Sequence, residues 1–309
     1  MVKPIIPVLV GPTAVGKTAV ALELVDRFNL EVVSCDSRQI YRRLNIGTAK
    51  PTRTELAGRP YHLIDYVEPD AVYSAARYRE DADAAFTEVF SKGRVPLVVG
   101  GSGLYLRALV VGLFETPPAD PDFRARLEAF SAAELHSQLA GIDSEAARVI
   151  PAGNRPRLVR ALEIHNLTGL TKSELAKSGT YPPSRYEFLL FLLSRSREKL
   201  YQIINLRVDN MIRDGLIAEV DQLCAAGLAD SPVLRRTVGY REVLDFWDGQ
   251  FGHDRCIELI KQRTRNYAKR QLTWFRHQVR AETIELESSG WRQKMFGWFD
   301  KFKLDRKLC

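Results

Sequence analysis

The chain is poor in cysteine and has no long hydrophobic run. Its 309 residues include 4 cysteines, with no C-x-x-C pair and no histidine at zinc-ligand spacing, so the sequence predicts neither a disulfide framework nor a zinc finger. No stretch approaches the roughly 18–20 apolar residues that a transmembrane helix needs. The first residues lack the charged and apolar regions of a secretory signal. We therefore expect a cytoplasmic protein with no membrane partner, and we expect it to be a monomer.

Positive charge is concentrated near the C-terminal end. Lys and Arg number 45 against 38 Asp and Glu, a modest excess, but residues 255–280 hold eight basic side chains and a single acidic one. Such a segment is typical of proteins that bind a polyanion, often nucleic acid. Two arginines and two aromatic residues in it share one helix face and suit phosphates and unstacked bases: Arg263, Tyr267, Arg270 and Trp274. A solvated helix with Trp274 as a core anchor is the alternative.

Short apolar runs alternate with helical segments in the first hundred residues. The runs at 5–10, 31–34 and 95–99 have the character of buried strands, and helical periodicity lies between them. A further apolar run at 188–193 predicts another strand. This alternation predicts an α/β fold with a parallel sheet flanked by helices.

The pattern changes after this strand-and-helix region. Residues 119–178 are helix-forming with no strand-like run, so we predict a helical insertion domain at 119–185. The catalytic core is then discontinuous, at 1–118 and 186–287. The aromatic and basic tail at 288–309 either packs as a terminal helix, which we favour, or binds a partner.

A phosphate-binding loop follows the first strand. Residues 11–18 form a complete G-x-x-x-x-G-K-T pattern, which lets several backbone N–H groups point at phosphate oxygens. Lys17 adds a positive charge, and the Thr18 hydroxyl is placed to bind Mg²⁺. We therefore predict a P-loop-type sheet whose diphosphate- or nucleotide-binding residues are Gly11, Pro12, Thr13, Ala14, Val15, Gly16, Lys17 and Thr18.

The loop indicates a phosphate ligand without specifying a nucleoside triphosphate. P-loop NTPases usually carry an acid at the end of a second strand, whereas the strand at 95–99 ends in Gly100 and Gly101. Asp36 is the acid that follows a neighbouring strand. It could hold Mg²⁺ through water, act as a general base, or cap the surface, and the residues alone leave these roles open.

Eight segments occur together in a recognisable order. They are GPTAVGKT at 11–18, CDSRQIY at 35–41, GTAKP at 47–51, YHLID at 61–65, VVGGSGLY at 98–105, RLVRALE at 157–163, RTVGYRE at 236–242 and KRQLTWFR at 269–276. This combination resembles the bacterial tRNA dimethylallyltransferase (tRNA isopentenyltransferase) family over roughly residues 5–280. The resemblance implies transfer of a dimethylallyl group from dimethylallyl diphosphate to N6 of adenosine 37, beside the tRNA anticodon, with release of diphosphate.

The resemblance also implies catalytic roles. Asp36 matches the general base that takes a proton from the adenine amine as the C–N bond forms. Thr13, Lys17 and Thr18 with Mg²⁺ would stabilise the negative charge that gathers on the leaving diphosphate. Arg207 aligns with an arginine that the family uses on the diphosphate.

A set of tRNA-contacting residues follows from the same resemblance. Ser102 stands where the family pattern leads us to expect threonine, and it keeps the hydroxyl. The target base must leave the anticodon stack to reach a buried donor. The implied tRNA-binding residues are Asp36, Ser37, Arg38, Gln39, Ser102, Arg124, Arg157, Arg160, Arg236, Gly239, Tyr240, Arg241, Lys269, Arg270, Gln271, Trp274 and Arg276.

Two other functions compete with this one. An adenylate isopentenyltransferase acting on free AMP, ADP or ATP shares the phosphate-binding loop and the aspartate. The helical insertion and the basic segment favour a macromolecular acceptor, because a free nucleotide needs neither. An RNA-binding P-loop NTPase or kinase would hydrolyse ATP at the loop, and the missing acid after residues 97–99 weighs against it.

Overall fold

The computed structural model describes residues 3–113, 116–178 and 184–305, with side chains up to residue 301. Short pieces of the predicted insertion and tail therefore lie outside the described residues. The chain divides into two compact units, with boundaries in the sequence at 110/111 and 183/184. We call residues 1–110 with 184–309 the main unit and residues 111–183 the insertion unit.

One six-stranded sheet runs through the described part of the main unit. Its order is β3-β2-β4-β1-β5-β6, and every neighbouring pair is parallel. The α/β class with a parallel sheet is confirmed. In chain order the strands are β1 (Ile5–Val10), β2 (Leu30–Cys35), β3 (Tyr61–His62), β4 (Val95–Gly100), β5 (Glu187–Ser194) and β6 (Glu282–Glu285).

Four of these strands lie where apolar runs predicted them. Every residue of β2 and β4 is buried, as expected for parallel strands covered on both faces. The two edge strands, β3 and β6, were not predicted. β3 has two residues, and β6 buries Ile284 alone among exposed polar neighbours, so neither produces the apolar run of a central strand.

The carboxyl ends of three neighbouring strands meet at one edge of the sheet. Gly100 on β4 lies opposite the last residues of both β1 and β2. The segments that leave these strands begin with Gly11, Asp36 and Gly101, which therefore start side by side. A Cβ atom on Gly100 would lie 2.0 Å from the carbonyl oxygen of Cys35, so this close approach requires glycine.

Helices surround the sheet in the main unit. Ser74 caps α3, because its side chain accepts the backbone N–H of Arg77 at 3.1 Å. No described helix combines the length and apolar character that crossing a bilayer requires. The helices of this unit are α1 (Lys17–Arg27), α2 (Arg53–Leu56), α3 (Ala75–Ser91), α4 (Gly103–Val110), α10 (Arg197–Arg213), α11 (Leu216–Ala225), α12 (Pro232–Arg235), α13 (Tyr240–Trp247), α14 (His253–Gln278) and α15 (Trp291–Asp305).

The C-terminal helix α15 belongs to the hydrophobic core of the main unit. Trp291, Met295 and Phe299 are buried in the same cluster as residues of α1, β1 and β5. The ring centroid of Phe299 lies 5.2 Å from that of Phe28 and 5.9 Å from that of Phe191. Of the two roles considered for the aromatic C-terminal segment, the described residues show packing.

The insertion unit has a separate small core. Leu135, Leu139 and Leu158 are buried there with several alanines and Ile150. Its described residues contain no strand, which agrees with the helix-forming pattern of the sequence. Its helices are α5 (Pro121–Glu128), α6 (Ala132–Ile142), α7 (Ser144–Val149), α8 (Arg155–Thr168) and α9 (Lys172–Lys177).

Removing the Phe299 ring should destabilise the protein. Because the side chain is 2% exposed, we expect Phe299→Ala to lower the free energy of unfolding by about 3–5 kcal/mol. Chemical denaturation followed by tryptophan fluorescence measures this. Lys301→Ala, at an exposed position of the same helix, is the matched control and should change it by less than about 0.5 kcal/mol. Equal midpoints for the two variants would show that α15 does not contribute to the core in solution.

Candidate active site

The loop at residues 11–16 wraps between the end of β1 and the start of α1. Gly16 has a φ angle of 110°, and a Cβ atom on Gly11 would lie 2.8 Å from the carbonyl oxygen of Leu193. Both positions therefore require glycine. The 11-residue helix α1 follows at once. Its free N–H groups and the positive end of its dipole make the loop an anion-binding site.

Lys17 lies against this loop and is partly buried. Its Nζ donates hydrogen bonds to the carbonyl oxygens of Gly11 at 3.0 Å and Pro12 at 2.9 Å. The pKa of Lys17 is lowered from 10.5 to about 8, mainly by burial; the negative charge of Asp36 opposes this shift, and the positive charge of Arg207 adds to it. The ammonium therefore lacks a full counter-charge, and an anion bound in the loop would supply one.

Arg207 on α10 reaches the same loop. Its Nη1 donates to the hydroxyl of Thr13 at 3.3 Å, and its Nη2 donates to the carbonyl oxygen of Thr48 at 3.4 Å. Burial lowers the pKa of Arg207, and Asp36 acts in the opposite direction. The structure thus brings Thr13, Lys17, Arg207 and Asp36 together, although they come from three separate parts of the chain.

Asp36 is held in a tight turn at the end of β2. Its Oδ1 accepts the backbone N–H groups of Arg38 at 2.9 Å and Gln39 at 3.3 Å. Its Oδ2 accepts no hydrogen bond from the part of the chain that the structure describes. The carboxylate is therefore fixed in direction by one oxygen and keeps the other for a ligand.

The polar residues beside Asp36 mostly bond to one another. The hydroxyl of Ser102 accepts the N–H of Ser37 at 2.8 Å and donates to the Ser37 hydroxyl at 3.0 Å. Gln39 uses its side-chain amide to donate to the carbonyl oxygens of Thr48 at 3.1 Å and Ala49 at 3.0 Å. Ser37, Gln39 and Ser102 thus shape the turn that carries Asp36, and their contacts with tRNA stay predictions.

A carboxylate that sequence reasoning missed supports the segment at 45–48. Glu219 on α11 accepts the backbone N–H groups of Asn45, Ile46 and Gly47 at 2.8–3.2 Å and the hydroxyl of Tyr240 at 2.6 Å. A Cβ atom on Gly47 would lie 2.3 Å from the Tyr240 ring. The GTAKP segment pointed to this loop, but nothing in the amphipathic α11 singled out Glu219.

A groove rich in arginine lies between α12, α13 and α14. Its volume is 370 Å³ and its lining includes Arg235, Arg236, Arg241, Arg263 and Arg270. One carboxylate, that of Glu242, lines it as well. Such a concentration of guanidinium groups favours a phosphate-bearing ligand.

The predicted tRNA residues of this region differ in their exposure. Arg236, Arg241, Lys269, Arg270 and Arg276 are exposed and can meet a ligand. Of the other four, Trp274 is half-buried, and Gly239, Tyr240 and Gln271 are buried. Gly239 donates its N–H to Glu242 at 2.6 Å, and a direct contact between the fully buried Tyr240 side chain and tRNA would need the chain to open.

The proposed helix face on α14 is present. The Arg270 guanidinium lies 5.8 Å from the Tyr267 ring centroid, and Arg263 and Arg270 both line the groove. Trp274 is half-buried, and a Cβ atom on Gly103 would come within 2.7 Å of its indole ring. Trp274 therefore anchors the helix and still exposes part of its surface. Arg38 joins this region by donating to the carbonyl oxygen of Arg236 at 3.5 Å.

In the insertion unit, a buried carboxylate organises two of the three predicted arginines. Arg124 donates to both oxygens of Glu163 at 2.7 and 2.9 Å, and Arg160 donates to Glu163 and to the Thr116 hydroxyl at 2.7 Å. Burial alone would raise the pKa of Glu163, but these hydrogen bonds lower it to about 2. Arg157 is exposed.

The described residues contain no group of three or more His, Cys, Asp or Glu side chains that could hold a metal ion. Mg²⁺ commonly uses one or two protein ligands with waters and phosphate oxygens. The Thr18 hydroxyl, at the start of α1, fits a magnesium ion that binds together with a phosphate-bearing ligand.

Comparison with known proteins shows extended similarity to one family. The family model described as IPP transferase matches residues 39–278. A tRNA dimethylallyltransferase from Myxococcus xanthus (strain DK1622) is 45% identical over 278 residues, covering 89% of this chain and 90% of the relative.

Solved structures show the same likeness. The full-length tRNA isopentenylpyrophosphate transferase of Bacillus halodurans superposes with a TM-score of 0.73 at 36% identity, covering 99% of this chain and 98% of that one. A eukaryotic dimethylallyltransferase, captured in crystallographic snapshots acting on tRNA, gives a TM-score of 0.83 at 26% identity, covering 98% and 80%.

The site should show an unusually acidic lysine. We expect the Lys17 amine to titrate near pH 8 in the ligand-free protein, and its pKa to fall further in Asp36→Asn because a supporting negative charge is lost. NMR of ¹³C-lysine-labelled protein, assigned with Lys17→Arg, measures both. In urea the same resonance should titrate at about pH 10.4. A folded-state midpoint above pH ~10 would contradict the burial of this charge.

Proposed function

The chain belongs to the IPP transferase family, and on that basis we propose that it transfers a dimethylallyl group from dimethylallyl diphosphate to tRNA. The observation that carries the proposal is the position of Asp36 beside the phosphate-binding loop. It is close enough to both Lys17 and Arg207 to change the pKa of each. A general base and an anion site at one edge of the sheet suit an acceptor that attacks an allylic diphosphate.

The diphosphate would occupy the loop at residues 11–18. This loop is next to the N–H groups at the start of α1 and to the cationic groups of Lys17 and Arg207. Negative charge grows on the diphosphate as the allylic C–O bond breaks, so these donors stabilise the transition state more than the ground state. Thr13 contributes by holding the Arg207 guanidinium against the loop.

The residues also fit a magnesium ion bound with the diphosphate. The Thr18 hydroxyl would be its protein ligand, and diphosphate oxygens and water would complete its coordination. When bound, Mg²⁺ neutralises part of the charge of the leaving group. Asp36 is a candidate for a water-mediated contact with the ion, but its proposed role is proton transfer.

The acceptor is the N6 amine of adenosine 37, next to the anticodon. The exocyclic amine is a weak nucleophile, so a base must remove a proton as the new C–N bond forms. Asp36 takes that proton on the oxygen that its turn leaves free, the C–O bond to the diphosphate breaks, and diphosphate departs. The Asp36 turn holds the carboxylate in one orientation, which reduces the reorganisation that the reaction needs.

A tRNA acceptor explains features that a free nucleotide would not require. The 370 Å³ groove places five arginines on one surface of the main unit, and the insertion unit adds the exposed Arg157. We propose that these groups bind the backbone and splayed bases of the anticodon loop. Because tRNA is the proposed substrate, we also propose that the enzyme is cytoplasmic. We propose in addition that it acts as a monomer.

The reaction itself is the first test. Purified protein, Mg²⁺ and dimethylallyl diphosphate are incubated with unmodified tRNA, with free AMP, or with ATP alone, and nucleosides are analysed by mass spectrometry. We expect N6-dimethylallyladenosine in the tRNA reaction and no change in AMP. Prenylated AMP would indicate an adenylate isopentenyltransferase instead. Steady ATP hydrolysis without a prenylated product would contradict the assignment of the loop to a diphosphate.

The role of Asp36 can be separated from tRNA binding. Asp36→Asn keeps the oxygen that accepts the Arg38 and Gln39 N–H groups but removes the base, so the single-turnover rate should fall by about 10²–10⁴-fold. The dissociation constant for tRNA should change by less than about twofold, because proton transfer belongs to the transition state. Loss of tRNA binding with an unchanged single-turnover rate would remove Asp36 from the chemistry.

A further inference from the structure

Gln271 lies where the basic helix α14 meets the phosphate-binding loop. Its side chain is 7% exposed, whereas Lys269 and Arg270 beside it are exposed. The helix therefore turns its basic side chains outward and this one amide inward. A buried amide is costly unless its hydrogen bonds are satisfied, so its partners matter.

Both ends of the Gln271 amide are bonded within the protein. Its Oε1 accepts the backbone N–H of Thr13 at 2.8 Å, and its Nε2 donates to the carbonyl oxygen of Gly101 at 2.9 Å. One partner is a donor and the other an acceptor. Neither a carboxylate nor an apolar side chain of the same length can satisfy both. The amide thus ties the phosphate-binding loop to the segment that follows β4.

The backbone around this amide leaves no room for a larger residue. A Cβ atom on Gly101 would lie 2.4 Å from Gln271 Nε2. At Gly103 the same atom would lie 2.7 Å from the Trp274 ring. Glycine at these two positions lets α14 approach the segment after β4 closely enough for the amide to bridge. The contact therefore depends on both sides of the interface.

We propose that Gln271 is a positioning residue that holds the phosphate-binding loop in its diphosphate-binding geometry. Thr13 connects Gln271 to Arg207. The backbone N–H of Thr13 donates to Gln271, and the hydroxyl of Thr13 accepts a hydrogen bond from Arg207 at 3.3 Å. Because Gln271 fixes the backbone of Thr13, it also fixes the position of the Thr13 hydroxyl. Arg207, which donates to that hydroxyl, is one of the cations proposed to bind the diphosphate. This inference rests on the proposed function, and it assigns Gln271 to the donor site instead of the direct tRNA contact implied by the family resemblance.

Binding of inorganic diphosphate and of tRNA, measured separately, tests the assignment. Gln271→Met keeps the length and removes the amide, leaving the Thr13 N–H unsatisfied. We expect its affinity for diphosphate with Mg²⁺, measured by titration calorimetry, to fall about tenfold to a hundredfold. Its affinity for tRNA should change by less than about twofold, since the exposed basic side chains remain. Gln262→Met, at an exposed position of α14, is the matched control and should change neither.

A second variant distinguishes positioning from a general loss of stability. Gly101→Ala keeps the amide but displaces it, so it should reproduce the selective loss of diphosphate affinity at a temperature where both variants are folded. A loss of tRNA affinity with unchanged diphosphate affinity in Gln271→Met would overturn the proposal and make Gln271 a tRNA contact. Equal diphosphate affinity in Gln271→Met and Gln262→Met would overturn it as well.

The failure of the proposed function would be visible separately. Wild-type protein that binds diphosphate but transfers no prenyl group would contradict that function, while the comparison of variants would still decide the role of Gln271. Wild-type protein that binds no diphosphate would overturn both.

Discussion

The parallel pairing of β2 with β4 and of β4 with β1 is the constraint on which the site depends. It brings the segments after three strands to one edge of the sheet, so the anion loop at Gly11, the carboxylate of Asp36 and the turn at Gly101 become neighbours. The strands pair this closely because Gly100 has no side chain. A Cβ atom on Gly100 would lie 2.0 Å from the carbonyl oxygen of Cys35. A larger residue there would separate the proposed base from the proposed donor site.

The ligand-free site holds more positive than negative charge. Burial lowers the pKa of Lys17 and of Arg207, and Asp36 offsets only part of this. The pKa of Lys17 is about 8 in the folded chain against 10.5 ordinarily, so below pH 8 the protonated amine destabilises the folded state. That destabilisation is lost as the pH rises from 8 towards 10.5. An anion bound in the loop would relieve this destabilisation at neutral pH, so the protein gives up stability at the proposed diphosphate site.

Patterns among neighbouring residues predicted those features of the fold and the site that depend on a short stretch of sequence. The glycine and lysine spacing of the phosphate-binding loop and the central strands follow from neighbouring residues, and the structure has both. Glu219 could not be found in this way, because it lies in an otherwise ordinary helix and its contact with Ile46 joins residues more than 150 positions apart. The GTAKP segment pointed to the loop of Thr48, but not to its similarly distant contact with Arg207. Gln271 was assigned to tRNA because the family resemblance implies tRNA contacts for it, and only the packing of α14 shows that its amide faces the phosphate-binding loop.

Buried carboxylates explain how basic surfaces of this protein can be both ordered and selective. Glu163 fixes Arg124 and Arg160 in the insertion unit, and Glu242 fixes Arg263 at the groove of the main unit. Each pairing reduces the net positive charge available for long-range attraction to any polyanion. It also holds the guanidinium plane in one orientation, so less side-chain entropy is lost when a phosphate binds at the remaining N–H groups. A surface built in this way favours an RNA whose phosphates match fixed positions over RNA in general.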